Sequence, residues 1–184
     1  MYDLHSILIQ LKKEDTPLHG IMVRCVHCFY QRLTPALRED PALFELWEQE
    51  LELIYGDLHQ RLSQNAKTDA GDLGDRFGFN APPELPRLLQ SIQTFYSVLI
   101  KLIAWNTLRD ASLEPPLTEL LSGRAFVNRG IRNFCGDDWY IWLLDVWDPA
   151  LEAQCEELRA CLGSFDTCPE GSTHSPDSLS RIYE

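Results

Sequence analysis

Residues 88–105 read LLQSIQTFYSVLIKLIAW, and no other stretch restricts the fold as much. A helix of this composition is apolar around most of its circumference, so other elements have to cover most of it. One cation, Lys101, interrupts its most hydrophobic part. Gln90, Thr94, Ser97 and Lys101 follow one another at four, three and four residues and so form one narrow polar stripe on the rod. Three readings of that stripe stand open. It is a wet edge, with the lysine stem lying across apolar neighbours and the ammonium in water. It is an internal seam, in which Lys101 pairs with Asp145 of the tryptophan-rich segment. Or it carries chemistry, which requires a lysine of depressed pKa beside a pocket. The wet edge is the reading adopted.

The rest of the chain has helical rather than strand periodicity. Leu4, Ile7, Leu8 and Leu11 share one face, and a second helix is expected from Pro17 to Leu33. After TPALREDP, a third is expected over 41–58, apolar through Leu43, Leu46, Trp47, Leu51, Ile54 and Leu58 and polar through Glu45, Glu48, Gln49 and Glu52. Residues 63–82 form a polar connection with room for one short helix and anchors at Leu73, Phe77 and Phe79. The long helix runs to about Arg109, and ASLEPPL breaks it. Gly123 and Gly130 stop two short helices. Asp137 and Asp138 cap a helix that sets Trp139, Trp142, Leu143 and Val146 on one side, with Trp147 off that face and partly exposed. Asp148-Pro149 opens a last helix ending at Gly163, followed by a turn-rich tail over about 164–178. The fold expected is all-α, a single multi-helix domain of seven to nine helices over residues 1–184.

With 184 residues, 45% of them hydrophobic, the chain can bury a core without metal or disulfide support. Its net charge of -12, with only 16 Lys and Arg spread along it, argues against a standalone grip on nucleic acid. No signal for export is present, and the apolar runs are shorter than the roughly 20 residues of a membrane span, so the expected setting is cytoplasmic and without a membrane. Cys25-Val26-His27-Cys28 invites a zinc or redox reading, but no second ligand pair of matching spacing follows. Both cysteines also fit the apolar face of a helix. Phosphate-binding glycine loops, the G-x-S-x-G elbow and H-E-x-x-H do not occur, and the five histidines are scattered. The expectation is a chain that is not an enzyme on its own, with no catalytic, cofactor-binding or metal-ligating residues and no cofactor.

Three blocks carry a resemblance. LWEQELELIYGDL holds Trp47, Tyr55 and Gly56. LPRLLQSIQTFYSVLIKLIA holds Leu88, Leu89, Gln93, Thr94, Phe95, Tyr96, Leu99, Ile100, Lys101 and Leu102. GIRNFCGDDWYIWLLDVWD holds Asn133, Phe134, Asp138, Trp142, Leu143 and Trp147. In order and spacing, from about position 40 onward, they resemble the helical amino-terminal region of large adenine-specific DNA methyltransferases, the N-6 methylases of restriction-modification and phage-defence systems. The closing LSRIYE is similar to the stretch that in such enzymes leads toward the catalytic domain.

The resemblance stops short of the catalytic signatures. A Phe-x-Gly-x-Gly loop for S-adenosylmethionine is missing, since FCGD (134–137) lacks the second glycine. The Asn/Asp-Pro-Pro-aromatic motif that grips a flipped adenine is missing too, since EPPL (114–117) has Glu and Leu in the decisive places. What the resemblance implies is a non-catalytic accessory or amino-terminal module that docks on a catalytic methyltransferase polypeptide. Gln93, Thr94, Tyr96, Lys101, Asn133, Asp138, Trp142 and Asp145 are the candidate interaction or structural residues. The alternative expectation is a free-standing acidic adaptor or antitoxin-like protein that covers a basic partner.

Overall fold

The computed structural model describes residues 4–39, 66–108, 114–135 and 140–165, together with Glu45 and Gln49. The helix expected over 41–58 is represented by those two positions alone, both helical and exposed. Asp137, Asp138, Trp139, Cys168 and the tail beyond residue 165 lie outside the described residues.

Thr16 caps the second helix by accepting the His19 N–H at 3.2 Å, and Pro17 follows at the first helical position, where its missing N–H costs nothing. Asp148 does the same for the last helix: its carboxylate accepts the Leu151 N–H at 2.7 Å, with Pro149 next. Eight helices are formed among the described residues: α1 (Leu4–Lys12), α2 (Pro17–Glu39), α3 (Ala66–Arg76), α4 (Leu85–Leu108), α5 (Leu117–Leu121), α6 (Arg124–Val127), α7 (Trp142–Asp145) and α8 (Pro149–Gly163). Among those residues there is no strand, and the chain is an all-α domain.

Two boundaries differ from the sequence expectation. The second helix does not end at Leu33 but continues through Pro35 to Glu39. A proline removes one backbone bond and crowds the preceding turn, which a helix already held by Leu18, Ile21, Met22, Cys25, Val26, Phe29 and Leu33 in the core can absorb. The tryptophan-rich helix is shorter than expected, with only Trp142–Asp145 helical among its described residues.

Helices α2, α4 and α8 pack on one another, and α1, α5 and α7 close the sides. The interior is one cluster that includes Phe29 and Leu33 of α2, Phe95, Leu99 and Leu102 of α4, and Leu151, Leu158 and Leu162 of α8, all fully buried. Each such side chain contributes about 1.5–3 kcal/mol on burial. By length and composition α4 is the one described helix that could cross a membrane, yet 61% of its most apolar window is buried inside this fold, the position of a core helix.

Two glycines turn the chain between the short helices. Gly123 has φ 81° and Gly130 φ 79°, a region costly for residues with a Cβ. At Gly123 a Cβ would also stand 2.1 Å from the Phe134 carbonyl oxygen, so the backbone of 134–135 can lie against the α5–α6 corner only because that residue is glycine. The Cys135 thiol reinforces the approach with a 3.0 Å bond to the Gly123 carbonyl.

Candidate functional site

The polar stripe of α4 faces inward. Gln90 and Thr94 are fully buried, Lys101 is 7% exposed, and Ser97 is half-buried. The wet-edge reading of Lys101 is therefore corrected. Its stem runs beneath α5, and the ammonium donates to the Leu121 carbonyl at 2.8 Å. Leu121 is the last residue of α5, where a helix leaves carbonyls without an internal donor, so a cation is favourable there. The proposed pair with Asp145 is corrected as well: Asp145 is exposed at the end of α7, whereas the ammonium is buried. A wheel places residues on a helix face but does not say what covers that face, and here α5 and α7 cover it.

Farther along the stripe, the Trp142 indole N–H donates to the Thr94 hydroxyl at 3.3 Å, and that hydroxyl donates to the Gln90 carbonyl one turn earlier at 2.8 Å. The Tyr140 hydroxyl donates to the Gln93 side-chain oxygen at 3.3 Å. Gln93, Thr94, Lys101 and Trp142 are thus gathered on the side of α4 that meets α5 and the 140–145 segment. Trp142 is 1% exposed, and Trp147 packs half-buried against the same core. Tyr96 lies elsewhere on α4, edge-on to Phe95, and burial pushes its hydroxyl pKa up. Asn133 is exposed and does not join the seam, and Asp138 lies outside the described residues.

Sequence reasoning passed over two buried polar groups of this core. Gln90, though on the stripe, has a side-chain amide that is fully buried with neither oxygen nor nitrogen hydrogen-bonded. Arg159 of α8 is 8% exposed; its guanidinium donates to the Pro115 carbonyl at 2.9 Å and pairs with Glu114 and Glu156 at 3.1 Å each. That arrangement ties the residues before α5 to the last helix. No local pattern announces Arg159, whose Pro115 partner lies 44 residues away, and the stripe that contains Gln90 does not reveal that its amide is buried unpaired.

The C-x-x-C pair sits where α2 meets α8. Cys25 is fully buried, and desolvation raises its thiol pKa to about 12. Burial also raises the Cys28 thiol, against the opposing pull of the Arg32 guanidinium, which donates to the sulfur at 2.9 Å. The same arginine spans to Asp148 with two bonds of 2.9 and 2.8 Å. Cys155 on α8 is raised well above the usual thiol value, again chiefly by burial. Thiols so disfavoured as thiolates are poor nucleophiles and poor metal ligands, and the described cysteines are unbridged. Among the described residues no three His, Cys, Asp or Glu side chains are placed to hold a metal ion.

Among the described residues this arrangement fixes helices: the seam joins α4 to α5 and α7, and the Arg32–Asp148 clasp joins α2 to α8. Compared with protein-family models, curated proteins and solved structures, the chain matches none.

Proposed function

We propose that the chain is a non-catalytic helical accessory module of an adenine-specific DNA methyltransferase system, cytoplasmic and without a cofactor of its own, acting by docking on the catalytic polypeptide. The observation that carries this reading is the meeting of two of the three resembling blocks. Gln93 and Thr94 of one are bonded to Tyr140 and Trp142 of the other across 47 and 48 residues. Interior polar groups such as Thr94, Lys101 and Arg159 hold helices together, which is compatible with a module that acts through its surface.

The test is co-purification. The tagged chain, co-expressed with the polypeptide that carries the S-adenosylmethionine loop and the adenine-gripping motif of the same system, is expected to bring it down in stoichiometric amount and to change its methylation of adenine in duplex DNA. Neither capture nor any change in methylation is the result that overturns the proposal. Capture instead of a small basic protein would favour an acidic adaptor that covers such a partner.

A further inference from the structure

Four arginines of this acidic protein meet carboxylates. Arg24 pairs with Glu157, Arg32 with Asp148, Arg87 with Glu84, and Arg159 with Glu114 and Glu156. The segment 124–132 departs from that habit. Arg124, Arg129 and Arg132 are all exposed, no Asp or Glu occurs between positions 120 and 136, and among the described residues neither Arg124 nor Arg132 has an ion-pair partner. The Arg129 guanidinium lies over the Trp105 ring at 5.1 Å and donates to the Leu108 carbonyl at 2.9 Å, and among the described residues it meets no carboxylate.

The backbone draws the three arginine positions toward one another. The Ile131 N–H donates to the Phe126 carbonyl at 3.0 Å and folds the segment back on itself. Each arginine is at most two residues from one end of that bond, so at 3.8 Å per residue all three Cα atoms lie within roughly 8 Å of it. Three arginines on nine residues with no acidic residue among them give this face a local positive charge on an acidic body. The loop is also rigidly mounted. Phe126 is fully buried between Trp105 and Phe134, with ring centroids at 5.7 and 4.4 Å, and Gly123 is stitched to Cys135. Val127, 45% exposed, places an apolar contact among the arginines.

We infer that segment 124–132 is a docking surface for a short acidic segment of a partner polypeptide, one that carries apolar side chains between its carboxylates. Arginine forks pair with carboxylates in the bidentate manner, and a preorganised platform loses little freedom on binding. A long polyanion fits less well, because its phosphates extend beyond the patch onto a body of net charge -12, whereas a few acidic residues meet only the patch. The inference rests on the reading of the chain as a docking module and names the surface that does the docking.

The probe is a fluorescein-labelled synthetic peptide of alternating glutamate and leucine, titrated by anisotropy against the full chain. A single-stranded oligonucleotide of equal charge serves as the competing ligand. The expected result is peptide binding that weakens as salt is raised and falls at least about tenfold in Arg124→Glu/Arg132→Glu. Lys13→Glu/Arg76→Glu, with the same change in net charge at exposed positions outside the patch, is expected to bind as the unaltered chain does. Should the glutamate variant not fold, Arg124→Gln/Arg132→Gln replaces it. Equal loss in both double variants, no peptide binding, or tighter binding of the oligonucleotide overturns the inference. Capture of the methyltransferase polypeptide that survives Arg124→Glu/Arg132→Glu sinks this surface and spares the functional reading. Peptide binding through the patch without such capture supports the surface and sinks that reading.

Discussion

Lys101 and Arg32 both bring a cation toward the packed middle of the molecule, and the two regions treat it differently. On α4 Lys101 is 7% exposed and its ammonium reaches a helix-terminal carbonyl. Between α2 and α8 the guanidinium side chain is 19% exposed and meets a carboxylate that is itself 45% exposed and also caps α8. In the first region desolvation is nearly complete, so the stem and head of the lysine are fixed by what surrounds them. In the second, water shares the charged atoms, the pair is screened, and the contact matters mainly as geometry that sets the start of α8. The difference teaches that a polar residue on an apolar rod is classified by the element placed opposite, since the same four-three-four spacing describes a wet edge and an internal seam equally well.

The comparison can be broken most forcefully at Trp142. Replacing this buried indole by Ala removes a large core side chain and the donor to Thr94, so urea melts should show a loss of about 3–5 kcal/mol. A loss under about 1 kcal/mol would take it out of the core. Next comes Lys101→Met, which keeps the stem but leaves the Leu121 carbonyl without that donor. The expected loss is about 1–3 kcal/mol, and a shift within about 0.5 kcal/mol, as at an ordinary surface site, would restore the wet edge.

Gln90→Leu sharpens the seam from the opposite direction. Because the amide is buried and unpaired, exchanging it for an apolar group of similar size should raise stability by about 1 kcal/mol. Destabilisation would mean that the amide is hydrogen-bonded after all.

At the clasp, the Leu151 N–H and then the Arg32 guanidinium hold the Asp148 carboxyl below its ordinary value of 3.8. A depressed carboxyl contributes stability above its unfolded pKa and loses it as pH falls through the lower, folded value. The unaltered chain should therefore lose stability with acid below about pH 3.8 more steeply than Asp148→Asn; parallel acid curves for the two would contradict the shift. The smallest effect belongs to Asp145→Asn. Asp145 is exposed, so the change should stay within about 0.5 kcal/mol and add simply to that of Lys101→Met. Coupling between them would bring back the internal pair.

Much of the helical layout was legible from local chemistry. Thr16-Pro17 and Asp148-Pro149 each join a capping oxygen to a proline at the first helical position, and side chains that bond to the backbone within three residues act wherever the rest of the chain lies. Gly123 and Gly130 ended their helices because a left-handed φ is a property of the residue itself. Leu73, Phe77 and Phe79 anchored the polar connection around a helix over Ala66–Arg76, as hydrophobic side chains among polar ones do. Pro35 shows the limit of local rules: a proline ring crowds the preceding turn, yet a helix with its apolar face already buried passes through it.

By itself, then, the sequence determined the helical class, most starts and stops, and which residues of α4 share a face, all consequences of contacts within about one turn. Only the tertiary structure decided what that face meets. Leu121 lies 20 residues from Lys101, Trp142 lies 48 from Thr94, and Asp148 lies 116 from Arg32. Such pairs form because burying the common core of α2, α4 and α8 brings them together. The burial term depends on area and not on sequence order, so no spacing rule along the chain foretells which polar groups it will enclose.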